Sequence, residues 1–339
     1  MSFSAFFRQT GVSMDDVEVG AMLSRRTLFL LFGAILAMTS SAGRADAQKQ
    51  ILAKPTMPTR FTVTEEGTAG KPDIVLLPGL TSSRRVWAAE AARLAPSYQL
   101  HLVQINGFAG QPAGVNATSE KLLSAIVEEL HGYIASRKIR PVVIGHSLGG
   151  LLTLMLARRY PGDLSKMVIV DALPFYGLMF GPQATVESVR PTATAMRNGA
   201  MAQTSAQRAV SAKQTADFLV LNAKGRELVA ADSFSSDPGV FARMMYEDLQ
   251  TDLRPELATI KMSALALYAF DPTLTFPNGV KPTREMADSI TSAAYETMPN
   301  AELVRVDYSR HFIMFDQPGR LHNLIREFVS RPNGGGPVP

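Results

Sequence analysis

From Phe61 to Val170 the chain alternates short aliphatic and β-branched runs with segments whose apolar residues recur at helical spacing, and few architectures accept that alternation. Phe61-Thr62-Val63-Thr64 is a modest opening strand. Ile74-Val75-Leu76-Leu77 is a buried-strand run that ends at Pro78-Gly79 and leads into a helix carrying Val86, Trp87, Ala91 and Leu94. Leu100 to Ile105 is the next strand, closed by Asn106-Gly107. A helix over about Thr118–Arg137 follows, with Leu122, Leu123, Ile126, Val127, Leu130 and Ile134 on one face and Thr118 or Ser119 as N-cap. Pro141-Val142-Val143-Ile144 reads as a central strand, Leu148–Ala157 as the helix after it, and Met167–Val170 as another strand ending at Asp171. Strands alternating with helices predict an α/β fold with a mostly parallel central sheet flanked by helices.

The alternation stops at Leu173. Up to about Ile260 the chain is Ala- and Met-rich with helical patterning, which predicts a helical cap over residues 173–260. Strand character returns at Ala264–Tyr268 and Glu302–Val306, with helices over Arg284–Glu296 and Arg320–Val329. The core is therefore expected in two parts, residues 48–172 and 261–330. A tail of residues 331–339, rich in Pro and Gly, is expected to be disordered. At 339 residues the chain suits one large core with an appended cap, since single cores stop growing at roughly 250–300 residues. The absence of cysteine excludes disulfides and cysteine-ligated metals, and a net charge of +4 from 34 basic and 30 acidic residues is too small and too dispersed for a nucleic-acid footprint.

The front of the chain reads as an address. Ser24-Arg25-Arg26-Thr27 runs into the apolar stretch Leu28–Met38, about half the roughly 20 residues a bilayer span requires, and Ala45-Asp46-Ala47 has the A-x-A form of a cleavage site. Residues 1–47 are thus expected to be a signal peptide, removed after Ala47, that leaves an exported protein, periplasmic or secreted, with no membrane span. The paired arginines resemble the twin-arginine export signal. Asp15, Asp16 and Glu18 are out of place in such a leader, and Met22 is the expected true start.

The segment Gly145-His146-Ser147-Leu148-Gly149-Gly150 lies between a buried strand and a helix. A sharp turn there strains the serine backbone, requires glycine where a side chain would strike the neighbouring strand or helix, and presents the hydroxyl above the sheet with a helix N-terminus beneath it. This pattern resembles the nucleophile elbow of the α/β-hydrolase family, and the resemblance extends over approximately Phe61–Val329. Ile74–Leu80 looks like the family's oxyanion loop, with Pro78 where a His is common, and implies the Leu80 and Leu148 N–H groups as oxyanion donors. Gln104 stands where the Leu102–Gly110 loop of the family carries an Asp.

A neutral serine is a weak nucleophile and requires a base. Of the five histidines, His146 points away from the nucleophile by the geometry of the turn, His101 lies in a strand, and His131 and His322 lie in helices. His311, in Tyr308-Ser309-Arg310-His311-Phe312 after a strand, is the expected base, with Phe315-Asp316-Gln317-Pro318 resembling the family's closing segment. The order Ser, acid, His expected of the fold points to Asp271, just past the strand Ala264–Tyr268. Its rival is Asp171, at the end of the preceding strand.

Ser147, Asp271 and His311 imply a serine hydrolase of carboxylic esters, lactones included, working through an acyl-enzyme on a small-molecule substrate. Neither cofactor nor metal is expected, since G-x-G-x-x-G and H-E-x-x-H are both missing. The same triad also serves amides, carbon–carbon bonds beside a ketone, or cofactor-free perhydrolysis, and a non-catalytic binding protein on the same fold is the remaining class. Phe175, Tyr176 and Met179, with Leu178 and Phe180, are the candidate pocket walls. Met196, Met201, Met244 and Met245 line an adaptable apolar cavity or pack as ordinary helix core.

Overall fold

The computed structural model describes residues 58–276 and 279–332. The expected signal peptide, the Met22 start and all but the first two residues of the expected tail lie outside the described residues. In chain order the elements are β1 (Phe61–Gly67), β2 (Asp73–Leu77), α1 (Ala88–Leu94), β3 (Gln99–Ile105), α2 (Leu122–Arg137), β4 (Val142–His146), α3 (Leu148–Arg159) and β5 (Lys166–Val170). Four helices follow: α4 (Val186–Ala202), α5 (Ser205–Leu219), α6 (Ala223–Ser235) and α7 (Pro238–Gln250). The chain then returns to the sheet with β6 (Ala264–Phe270), α8 (Arg284–Tyr295), β7 (Ala301–Asp307), the single turn α9 (Ile313–Asp316) and α10 (Pro318–Ser330).

The seven strands form one sheet in the order β1-β3-β2-β4-β5-β6-β7, in which β1 runs antiparallel to β3 and every other pair is parallel. This is the α/β-hydrolase fold. Both faces of the sheet are covered, and side chains alternate between them with period two. Val75, Leu77, Val143, Met167, Ile169 and Ala266 join one core cluster with residues of α2, α3 and α8. Their neighbours Ile74, Leu76, Val142, Ile144, Val168 and Leu267 join a second cluster with Trp87, α1 and α10.

The start of α2 differs from expectation for a physical reason. Helix α2 begins at Leu122 rather than at Thr118, and neither Thr118 nor Ser119 caps it. The carboxylate of Glu247, from α7, instead accepts from the N–H groups of Leu122 (2.7 Å) and Leu123 (2.9 Å). A helix N-terminus leaves four N–H groups unpaired, and here a residue 124 to 125 positions away satisfies two of them.

Candidate active site

Strand β4 ends at His146 and α3 starts at Leu148, so Ser147 alone makes the turn, with φ 53° and ψ −124°. That conformation is costly for a residue with a side chain, and the packing around it leaves little alternative. A Cβ on Gly145 would sit 2.1 Å from the carbonyl oxygen of Gly149, and one on Gly79 would sit 3.0 Å from the Ser147 Cβ. Glycine at both positions lets the turn close and lets the loop after β2 lie directly against it. The Ser147 N–H donates to the carbonyl of Val170 at 3.0 Å, which ties the turn to β5.

The loop after β2 brings Gly79, the residue before Leu80, against the same turn. Gln104, buried, accepts from the Arg84 N–H at 3.0 Å and donates to the carbonyls of Ile105 (3.3 Å) and Phe108 (3.4 Å). It thus couples the start of the following helical turn to the end of β3. Leu148 is the first residue of α3, so its N–H has no carbonyl one turn back within the helix to bond.

The structure brings His311 to Asp171 and not to Asp271. The Nδ1 of His311 lies 2.6 Å from the Oδ2 of Asp171, while the other oxygen, Oδ1, accepts from the Ala269 N–H at 2.8 Å. A carboxylate only accepts, so Nδ1 carries the proton and Nε2 is left as the basic nitrogen. Asp271 is occupied elsewhere. Its Oδ2 accepts from Arg310 Nε at 2.7 Å, and its Oδ1 from the N–H (2.9 Å) and hydroxyl (2.7 Å) of Thr273. Burial raises its pKa, but the Thr273 and Arg310 hydrogen bonds outweigh that and hold the carboxyl below its ordinary value.

The register explains the correction. His146 pairs with Val170 across β4 and β5, which sets Asp171 level with Ser147, and Val170 pairs in turn with Leu267 of β6. Tyr268 is therefore level with Asp171, and Asp271 lies three residues further along its strand direction. At about 3.3 Å per residue that is about 10 Å beyond the level of Ser147. Both aspartates satisfy the order Ser, acid, His, so chain order alone does not separate them.

His146, the residue before Ser147, packs against His311. Its ring is fully buried, with its centroid 4.7 Å from that of His311 and 4.6 Å from that of Phe312. Its Nε2–H donates to the backbone carbonyl of His311 at 2.9 Å. Burial, and then the proximity of His311, push its pKa well below the usual imidazole value. A neutral His146 fixes the His311 backbone without placing a second positive charge beside that ring. The remaining histidines have carboxylate partners away from this site: His101 with Asp73, His131 with Asp163 and His322 with Glu90.

The expected pocket residues separate. Tyr176 lies in the 3-10 turn Tyr176–Phe180 that follows β5, its side chain against that of Ser147 and its hydroxyl 3.4 Å from the Asp171 carbonyl oxygen. Phe175 does not face the site. It is fully buried among Val189, Ala193, Met196 and Leu249 of α4 and α7, with the Arg254 guanidinium 4.6 Å from its ring centroid. Met179 is partly exposed in the same turn. The four methionines form no common cavity: Met196 belongs to that cap cluster, Met244 to the core cluster, Met245 packs against the cap cluster, and Met201 is exposed. Sequence reading missed Asp248 of α7, buried close enough to Tyr176 for its charge to act on the phenol. Two surface hollows, of about 560 and 460 Å³, are lined by Arg197, Met201 and Arg243 and by Pro72, Lys166 and Arg331 among others, and include none of the groups around Ser147. Among the described residues, no group of three or more His, Asp or Glu is placed to hold a metal.

A parallel sheet wrapped by helices, a positive-φ serine between β4 and α3 and a partly buried His–Asp pair beside that turn define an α/β-hydrolase architecture. The chain belongs to the alpha/beta hydrolase family, whose model matches residues 74–324. It is 34% identical over 125 residues to the pimeloyl-[acyl-carrier protein] methyl ester esterase of Pectobacterium carotovorum, a match that spans 37% of this chain and only 46% of that relative. The protein of the same name from Edwardsiella ictaluri is 26% identical over 211 residues, 59% of this chain and 75% of the relative. An esterase from Exiguobacterium antarcticum superposes with a TM-score of 0.65 at 16% identity, over 80% of this chain and 96% of that one.

Proposed function

We propose that this protein is a serine hydrolase that cleaves carboxylic esters, lactones included, through an acyl-enzyme on Ser147. The observation that carries this reading is the 2.6 Å Asp171–His311 pair beside a serine held at φ 53° on the strand-to-helix turn. His311 Nε2 takes the Ser147 proton as the hydroxyl oxygen attacks the carbonyl carbon, and it gives that proton to the departing alkoxide. Water activated by the same nitrogen then adds to the acyl-enzyme and releases the acid. Asp171 holds the tautomer and stabilises the imidazolium formed in each half. The N–H groups of Leu80 and Leu148 receive the oxyanion, each worth about 3–4 kcal/mol of transition-state stabilisation. The names of the curated relatives support ester bonds as the substrate class.

A fluorophosphonate probe is expected to label Ser147, and Ser147→Ala and His311→Ala are each expected to lower kcat by about 10^6 with the fold intact. Absence of labelling beside a reactive control esterase, or ester hydrolysis retained in either variant, overturns the reading. A panel of p-nitrophenyl esters, lactones and amides then fixes the bond class. We further propose that residues 1–47 direct export and are removed, in which case the protein recovered from the periplasm or medium begins near Gln48.

A further inference from the structure

Helix α7 presents Val240, Met244 and Asp248 at four-residue spacing on one face. Val240 and Met244 are fully buried in the core cluster that also holds Leu148, the residue after the nucleophile. The third position of this apolar stripe is a carboxyl. Asp248 is only 8% exposed, and its Oδ1 is enclosed without a hydrogen-bond partner. Desolvation is the one cause acting on it, and it pushes the pKa up to about 8; no cation offsets the burial. An unpaired buried carboxyl is destabilising, and a Leu or Met would have continued the stripe without that cost.

The groups packed around Asp248 leave its position unanswered by the protein. On its own helix, Glu247 turns to the N-terminus of α2, and Arg243 donates to the carbonyls of Asn116 and Ala117. Across from it, on α4, Arg190 bonds Gln250, and Arg197 lies over the Tyr246 ring. A titratable group within reach of its charge is Tyr176. Burial raises the pKa of this phenol well above its ordinary value and the charge of Asp248 raises it further, while the same phenol lies against Ser147. The carboxyl is therefore within electrostatic reach of a side chain that touches the nucleophile.

We propose that Asp248 binds substrate, accepting a hydrogen bond from a hydroxyl or ammonium group that the ester carries away from the carbonyl attacked by Ser147. This rests on the esterase reading and assigns it a substrate class, polar-substituted rather than plain alkyl esters. A ligand donor would supply the partner that Oδ1 lacks, and a site built to bond such a group discriminates against the analogue without it.

The test is kcat/KM for matched p-nitrophenyl acyl esters ending in methyl, hydroxyl or amino groups, and for matched alkyl, hydroxyalkyl and aminoalkyl esters of one plain acid. The native protein is expected to favour at least one donor-bearing member over its methyl counterpart by about tenfold or more. Asp248→Leu is expected to abolish that ratio. A merely structural role lowers all members alike and leaves the ratio standing. Asp248→Asn, which keeps the volume, serves if the leucine variant does not fold, and is expected to lose any preference for the amino member. A wild-type preference for plain esters, or a ratio untouched by both variants, overturns the proposal while leaving the esterase reading in place. Hydrolysis of no member by the native protein overturns both.

Discussion

Two aspartates one hundred positions apart compete for the same histidine, and their environments give them different work. Asp171 shares its two oxygens between the His311 ring and one backbone N–H, whereas Asp271 is saturated by Thr273 and by the Arg310 guanidinium beside His311. Asp171→Asn is expected to lower kcat by about 10^4 with the melting temperature little changed, because an amide can hold the imidazole in the wrong tautomer. Asp271→Asn is expected to keep turnover of wild-type order and to lose about 1–3 kcal/mol of stability, read by denaturant unfolding. Its pH dependence has a definite sign. The folded-state pKa of Asp271 lies below its unfolded value, so its contribution is fully present above the unfolded value, about 4, and disappears as pH falls through the lower folded one. Stability of the asparagine variant is accordingly expected to fall less steeply than wild type below about pH 4. The reverse pattern of activity loss between the two variants would return the acid's role to Asp271.

At the scale of elements, the four helices between β5 and β6 are tied to the rest of the fold by polar contacts at helix ends as well as by apolar packing. Glu247 of α7 caps α2, and Asp316 at the end of α9 accepts from the N–H groups of Leu221 and Asn222 at the α5–α6 junction (2.9 Å each) and from that of Arg310 (2.9 Å). The last contact links the α5–α6 junction to the loop that presents His311. Glu247→Ala leaves two helix N–H groups without their acceptor, and it is expected to cost about 1–2 kcal/mol in denaturant unfolding. Since α7 also carries Asp248, the same variant is expected to raise KM more than it lowers kcat if the helix shifts over the site. An unchanged stability would show that solvent caps α2 as well as Glu247 does.

At the scale of the molecule, among the described residues the two large core clusters run from Phe61 to Phe328. If residues 1–47 are an export signal, as proposed, a chain beginning at Gln48 is expected to melt at the same temperature as the full-length protein, and a drop of several degrees would count against that proposal. Among the described residues no helix is long and apolar enough to cross a membrane. Much of this architecture was legible in the amino-acid order. A buried parallel strand is a continuous apolar run, and the runs Ile74–Leu77 and Met167–Val170 stand inside the observed strands with a single end residue added to each. The nucleophile turn was legible too, because Gly145, Ser147 and Gly149 are neighbours in the chain and their constraint is local backbone geometry. The partner of His311 was not. It depends on which strand end is level with Ser147, and that is settled by the β4–β5–β6 register and by the bonds of Asp171 to Ala269 and His311, 98 and 140 positions away, which no local pattern encodes. The cap of α2 and the burial of Asp248 have the same character. Periodicity and turn chemistry fix what each segment becomes, whereas the partners of polar atoms are fixed only when distant segments close over them and remove the water that would otherwise have satisfied them.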